Sequence, residues 1–193
     1  DVQVLAMVGV LATHDCRGSL WCSGAGALIL RRSIATKRRP SAGGRRPMSD
    51  ASALPHITVA AIVPLGSRLL FVEEHSEGRS VINQPAGHLD PGESLLEAVV
   101  RETLEESAWQ VRPLALTGIY QLFRPGIQFV RVCFLCEPLA EVPGRALDQD
   151  IVGTHWLTRD ELLASSVPTR SSLVLRCVDD YLQGRRYPLD LLT

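Results

Sequence analysis

The chain has 193 residues, 46% of them apolar, and a formal net charge of −1 at pH 7. This length can bury one substantial core, which excludes an even split into two domains and predicts one domain with an appendage. The charge is unevenly spread, because residues 1–47 hold eight basic and two acidic residues (net +6) and residues 48–193 hold twelve and nineteen (net −7).

Residues 1–47 form the predicted appendage, a basic N-terminal extension without expected packed structure. It is a nucleic-acid or membrane-binding arm, a targeting peptide, or not part of the natural protein. We favour the last, because Met48 opens a plausible start directly before the first predicted strand. The apolar stretch 4–12 is far short of the ~20 residues of a membrane span. We therefore expect no membrane partner, and nucleic-acid binding only if this arm is native.

Apolar runs predict strands before a single helix. Residues 57–64 and 68–73 are separated by a short turn, which indicates a hairpin at the start of the domain 48–193. A third run, residues 81–85, ends in a proline, so the segment that leads to Gly87 should be tight.

The next segment has the pattern of an amphipathic helix. Ser94 and Glu97 have the spacing of a capping box, which makes Ser94 the predicted N-cap. At 100° per residue, one face of this helix is apolar and the opposite face is acidic. The apolar face holds Leu96, Val99, Val100 and Thr103, and the acidic face holds Ala98, Glu102, Glu105 and Glu106.

The acidic face predicts a metal site. Glu102 and Glu106 are four residues apart, where like charges repel by roughly 0.2–0.5 kcal/mol. Arg101 is placed to hold Glu105, which leaves Glu102 and Glu106 free to converge on a cation. Oxygen ligands without Cys or His favour Mg²⁺ or Mn²⁺ over zinc. The alternative is a solvated acidic face of an ordinary helix.

The rest of the chain predicts two long strands, a short strand and two helices, which gives an α+β fold with a mixed sheet. The predicted strands are residues 111–122, 127–139 and 154–157. Thr158 is the predicted N-cap of the first helix. The second helix begins at Ser171 or Ser172 and is ended by Gly184.

Five cysteines, an odd number without framework spacing, indicate a reducing compartment, and we expect a cytoplasmic protein. Cys133 and Cys136 lie three residues apart in a predicted strand, so their side chains should point to opposite faces. We therefore expect packing at these positions rather than a paired thiol site.

The stretch from Gly87 to Trp109 resembles the Nudix box. That pattern is Gly, five residues, Glu, seven residues, then Arg-Glu-apolar-x-Glu-Glu-x-Gly-apolar. The chain departs from it at Thr103, whose hydroxyl can bond back to the Val99 carbonyl, and at Ala108. A glycine at position 108 would end the helix in the left-handed conformation, so we expect the helix to run on or end differently. The matching residues are Gly87, Glu93, Arg101, Glu102, Glu105, Glu106 and Trp109.

The resemblance implies a Nudix-type α/β/α sandwich with a mixed sheet, and a set of site residues. It implies metal binding by Glu102, Glu105, Glu106 and the Ala86 carbonyl; Arg101 would orient Glu105, and Glu93 would support the loop. The general base stays open, with Glu106 first and Asp148 or Asp150 as further possibilities beside plain loop solubility. Expected substrate contacts are Arg131 and Arg79 for phosphate and Phe123 for a ring, with a surface role for either arginine as the alternative.

Flanking segments are similar to a group of bacterial Nudix phosphatases, over residues 56–192. These segments are Asn83 to Leu89, Asp148 to Trp156, and Gly184 to Leu189. The similarity implies a Mg²⁺-dependent hydrolase of small phosphoric anhydrides: nucleoside tri- and diphosphates, thiamine diphosphate and hydroxymethylpyrimidine diphosphate. The alternative is a Nudix-fold module that binds or senses a nucleotide without cleaving it.

Overall fold

The computed structural model describes residues 54–193, so the predicted N-terminal extension lies outside the described residues. None of the helices within this range is long and apolar enough to cross a membrane. The strands are β1 (His56–Ile62), β2 (Pro64–Leu65), β3 (Arg68–Ser76), β4 (Arg79–Asn83), β5 (Trp109–Arg124), β6 (Ile127–Glu141) and β7 (Ile151–Leu157). The helices are α1 (Leu95–Ser107), α2 (Arg159–Ala164), α3 (Ser172–Leu182) and a 3₁₀ turn (Leu189–Leu191).

A mixed sheet with the order β1-β6-β5 forms the centre of the domain. Strand β1 is parallel to β6, and β5 is antiparallel to β6. Every residue from Val59 to Val63 is at most 1% exposed, as expected for a strand that is covered on both faces. Helix α1 packs on one face of this sheet and α3 on the other, which confirms the expected α/β/α sandwich.

The two faces of the central sheet build two separate cores. Val99 of α1 packs with Phe134 and Cys136, whereas Val174 and Cys177 of α3 pack with Cys133 and Ile62. Cys133 and Cys136 therefore belong to opposite cores, which confirms the prediction that their side chains point to opposite faces of the strand and pack there.

A second, antiparallel sheet contains β2, β3, β4 and β7. The predicted hairpin between residues 57–64 and 68–73 is wrong in its main part, because β1 pairs with β6 and only Pro64–Leu65 pairs with β3. Both faces of β1 are apolar, so the strand is stabilised most in the middle of the sandwich, between the two helices.

The N-terminus of α1 is as predicted from the sequence, whereas its C-terminus is not. Ser94 and Glu97 form the predicted capping box, and the Thr103 hydroxyl donates to the Val99 carbonyl at 2.7 Å, as expected. The expectation for the C-terminus is wrong, because Ala108 itself adopts the left-handed conformation (φ 59°, ψ 14°) and ends the helix. Its N–H donates to the Leu104 carbonyl, a bond that stabilises the turn against its backbone strain.

Candidate active site

A cavity of 310 Å³ lies where the acidic face of α1 meets strands β3 and β6 and the start of α3. The cavity is lined by acidic, basic, polar and apolar residues. The acidic residues are Glu74, Glu102 and Glu106; the basic ones are Arg124, Arg131 and Arg170; the others include Thr58, Asn83, Ala86, Gly87, His88, Leu122, Phe129, Ser171 and Leu173.

The loop that leads to α1 is held against the edge of β1. The N–H groups of Val59 and Ala61 donate to the carbonyls of Gly87 and Pro85, both at 2.9 Å. The carbonyl between them, that of Ala86, accepts no hydrogen bond from the residues that the structure describes. The loop backbone is thus fixed, and one of its carbonyl oxygens remains available at the cavity wall.

Glu106 is the most perturbed acid of the cavity. Its side chain is 9% exposed, and its Oε2 accepts the Ala86 N–H at 2.8 Å. The pKa of Glu106 is raised to about 8, mainly by burial and in smaller part by the nearby charges of Glu74, Glu102 and Asp148, whereas the hydrogen bond from the Ala86 N–H lowers it. A buried carboxylate among other acids is stabilised in its charged form by a cation, and all-oxygen donors suit Mg²⁺ or Mn²⁺.

Arg101 connects the acids of the box into one network. Its guanidinium binds both oxygens of Glu93 (3.0 and 2.5 Å) and one oxygen each of Glu102 (2.8 Å) and Glu105 (3.0 Å). These bonds, that to Glu93 above all, raise the pKa of Arg101. Glu93 also accepts the Asp90 N–H at 2.7 Å, so the network joins the loop to the helix.

The carboxylates do not form a closed cage as the side chains stand. Within residues 54–193, no three His, Cys, Asp or Glu side chains are close enough to hold a metal ion. Arg101 draws one oxygen of Glu102 and one of Glu105 toward itself. Burial raises the pKa of Glu102, which indicates that this carboxylate too lacks full compensation for its charge.

Arg131 supplies a buried positive charge to the cavity wall. It is 9% exposed and lies on β6, where its Nη1 is 3.4 Å from the side-chain oxygens of both Asn83 and Gln84. These partners are neutral amides, and among the described residues no carboxylate forms an ion pair with Arg131. A phosphate group is the kind of anion that such an arginine binds well.

The structure brings some of the predicted site residues to the cavity and leaves others away from it. Ala86, Glu102, Glu106 and Arg131 line the cavity, and Glu93 and Glu105 are linked to it through Arg101. Arg79, Phe123 and Asp150 do not line it. Arg79 begins β4 in an exposed position, Phe123 is 68% exposed, and the exposed Asp150 accepts the His75 N–H through its main chain.

Two cavity residues, Glu74 and Arg170, were not predicted from the sequence. They are 96 positions apart and form an ion pair. Glu74 follows the buried Leu70 and Val72 at intervals of two, so strand periodicity could have indicated a buried carboxylate. Nothing local marks Arg170, because its position depends on the packing of the segment before α3.

The fold and this cavity are those of a Nudix hydrolase, and the chain belongs to the Nudix family: the family model of the NUDIX domain matches residues 54–177. The chain is 37% identical over 139 residues to Phosphatase NudJ of Escherichia coli K12, an alignment that covers 72% of this chain and 90% of the relative. The same values hold for Phosphatase NudJ of Shigella flexneri.

Solved structures agree with this assignment. A NUDIX hydrolase from Nitrosomonas europaea is 41% identical, with a TM-score of 0.70, over 72% of this chain and 97% of the other. An ADP-ribose pyrophosphatase from Streptococcus suis, 17% identical with a TM-score of 0.54 over 69% and 96% of the chains, shares the fold alone. The expected class, a Nudix phosphohydrolase acting on a small phosphate-containing substrate, is confirmed.

Proposed function

We propose that the chain hydrolyses diphosphate and triphosphate linkages in a Mg²⁺-dependent reaction in which Mn²⁺ can replace Mg²⁺. The proposed substrates are nucleoside tri- and diphosphates, thiamine diphosphate and hydroxymethylpyrimidine diphosphate. The observation that carries the proposal is Glu106, a buried carboxylate with a pKa raised to about 8 that shares a cavity with the buried cation of Arg131.

The proposed ligands of the cation are Glu102, Glu105, Glu106 and the carbonyl oxygen of Ala86. A bound divalent cation would neutralise phosphate oxygens and lower the pKa of the attacking water. The free Ala86 carbonyl and the unengaged carboxylate oxygens supply hard donors of the type that Mg²⁺ takes.

We assign positioning roles to Arg101 and Glu93. The bidentate pair between them fixes the guanidinium, and the guanidinium fixes Glu102 and Glu105 in turn. For the carboxylate that takes a proton from the attacking water, Glu106 is our first choice, with Asp148 and Asp150 as alternatives.

We propose that Arg131 binds a phosphate group of the substrate. Its guanidinium is desolvated and held by weak, neutral partners, so a charged phosphate oxygen would be a stronger acceptor than either amide. The charge also helps to offset the repulsion between a polyphosphate and the acids of the cavity.

The test is product formation by the full chain with Mg²⁺ from thiamine diphosphate, GTP, GDP and ADP-ribose, with products separated by ion-exchange chromatography. We expect cleavage of at least one of them, and a fall of orders of magnitude in Glu106→Gln with an unchanged circular dichroism spectrum. The matched control is Glu73→Gln, because Glu73 contacts His155 and does not line the cavity.

The same panel tests the rival function, a module that binds nucleotides without cleaving them. Nucleotide binding without any product, or full turnover in Glu106→Gln, would remove the hydrolytic proposal. The presence of Arg101, Glu102, Glu105 and Glu106 together counts against a pure binding module, which has no need of the complete acidic set.

We further propose that residues 48–193 carry the whole activity. Among the described residues, those that line the cavity lie between positions 58 and 173. A chain without residues 1–47 should therefore retain the turnover of the full chain.

A further inference from the structure

Glu74 is a buried acid of the cavity that lies outside the box on α1. It belongs to β3, is 6% exposed and contributes to the cavity wall. Its Oε2 accepts a hydrogen bond from Arg170, but its Oε1 has no hydrogen-bond partner. Within residues 54–193 this is the one buried side-chain nitrogen or oxygen atom left without such a partner.

An unpartnered buried carboxylate oxygen is unfavourable, because it has lost its hydration without gaining another bond. Arg170 neutralises the charge of Glu74 only in part, since the guanidinium reaches a single oxygen and is itself partly exposed. The position of Glu74 is therefore one where a further positive group would stabilise the protein.

The acids of the cavity share one arrangement. Glu102 has one oxygen held by Arg101, Glu106 has one held by the Ala86 N–H, and Glu74 has one held by Arg170. In each case the second oxygen is left for another partner. Fixing one oxygen of a carboxylate by a hydrogen bond is how proteins orient metal ligands.

Glu74 also lies near the acids of α1, although it comes from a different element. Its charge contributes to the raised pKa of Glu106, ahead of the charge of Glu102. The acidic wall thus extends from α1 to β3, and it is wider than the box alone.

We propose that Glu74 is an additional ligand for a divalent cation, binding through Oε1 from β3 beside the acids of α1. The inference rests on the proposed function, since it presumes that this cavity takes up Mg²⁺ or Mn²⁺. It adds a ligand that the spacing of the box does not contain, and it gives Arg170 the task of orienting that ligand.

The direct test is Mn²⁺ binding to the full chain without substrate, followed by the electron paramagnetic resonance signal of free Mn²⁺. We expect Glu74→Gln to lose one bound ion, or to weaken one class of sites by about tenfold or more. The matched control is Glu73→Gln, because Glu73 is the neighbour of Glu74 on β3 and contacts His155. This variant should bind Mn²⁺ as the unchanged chain does.

The variant Arg170→Gln distinguishes two roles for Glu74, that of a cation ligand and that of a partner in the ion pair with Arg170 alone. If Glu74 binds the cation, this variant keeps the carboxylate and loses only its orienting partner, so it weakens Mn²⁺ binding clearly less than Glu74→Gln does. Equal losses in the two variants would show that Glu74 acts only through Arg170, and unchanged Mn²⁺ binding in Glu74→Gln would also overturn the inference.

Thermal unfolding in EDTA checks that the variants fold. Should Glu74→Gln fail to fold, Glu74→Asp takes its place, because it keeps the charge but shortens the side chain. This variant must weaken Mn²⁺ binding by about threefold or more. Unchanged affinity in Glu74→Asp overturns the inference.

Glu102→Gln distinguishes the failure of this inference from the failure of the proposed function. If it loses Mn²⁺ while the Glu74 variants do not, only this inference fails, whereas an unchanged chain that binds no Mn²⁺ removes the proposed function as well.

Discussion

A Cβ atom on Gly87 would lie 2.1 Å from the carboxylate carbon of Glu102. No real Cβ makes so close a contact, so an alanine at position 87 would displace Glu102 from the place where Arg101 holds it. The end of a glutamate side chain can move at small cost, and Gly87→Ala should therefore fold. We expect its turnover to fall by about 10- to 100-fold, because misplacing one group of a catalytic set has effects of that size.

Gly153→Ala is the matched control, since no heavy atom lies within 4 Å of a Cβ at that position and its backbone is not left-handed. Steady-state turnover and thermal unfolding are measured for both variants. Normal turnover in Gly87→Ala would show that the contact between Gly87 and Glu102 is irrelevant to the reaction.

Arg101→Lys tests the network of the box. Lysine keeps the charge but cannot bind three carboxylates in the forked geometry of a guanidinium. We expect kcat to fall by about 10- to 100-fold with little change in melting temperature. Arg112→Lys, at an exposed ion pair with Glu137, is the control and should leave kcat unchanged; an equal effect of both substitutions would contradict a special role for Arg101.

The raised pKa of Glu106 makes the metal-free protein more stable in mild acid. The folded state holds this proton up to about pH 8, whereas the unfolded chain releases it near pH 4.5. The stabilisation is thus complete below pH 4.5, declines by at most about 1.4 kcal/mol per pH unit above it, and is lost once the pH passes about 8. Urea unfolding in EDTA between pH 5 and 8.5 measures this slope. Glu106→Gln should show a shallower slope, and identical slopes would refute the burial of a titrating Glu106.

Substitutions of Arg131 and Arg79 should differ in their effect on kcat/KM. Arg131→Met removes one buried positive charge of the cavity and should lower kcat/KM by about 10- to 100-fold, the value of a charge-assisted hydrogen bond. Arg79→Met alters an exposed residue at the start of β4 and should not change it. Both variants are compared by initial rates on the best substrate of the panel, and the reverse order of effects would place the phosphate outside this cavity.

Substitutions of Ala108 test the left-handed conformation in which α1 ends. A β-branched side chain tolerates the left-handed conformation poorly, so Ala108→Val should lose roughly 1–3 kcal/mol of unfolding free energy. In Ala108→Gly the relief of strain is offset by a more flexible unfolded chain and a lost buried methyl, and its stability should change by less than about 1 kcal/mol. Urea unfolding of both variants measures these values. A stable Ala108→Val would mean that the helix ends differently.

The features that the sequence predicted correctly depend on neighbours in the chain. The N-cap at Ser94 and the acidic face of α1 follow from spacings of three and four residues, which the helix fixes by itself. The bond from Ala86 N–H to Glu106 was not predicted, because it joins the loop to the far end of α1.

The features that were missed depend on contacts distant in sequence. Strand β1 finds its partner β6 about 70 residues away, and the apolar run alone does not distinguish this pairing from a local hairpin. Glu74 and Arg170 meet only after β3 and the segment before α3 pack together. Arg79 and Phe123 were chosen for their chemistry, but their exposed positions at strand ends keep them out of the cavity.

The hydrogen bonds from Val59 and Ala61 to the carbonyls of Gly87 and Pro85 couple the cavity to the interior of the protein. The strand that provides these bonds contributes side chains to both cores, so a repacking mutation in either core would move the loop that carries Ala86 and Gly87. Mutational drift in the interior is therefore constrained by activity as well as by stability. Arg124 lines the cavity but belongs to neither core and to none of the proposed metal-binding groups, so it is a position where a lineage could change its preferred substrate while keeping the acidic residues.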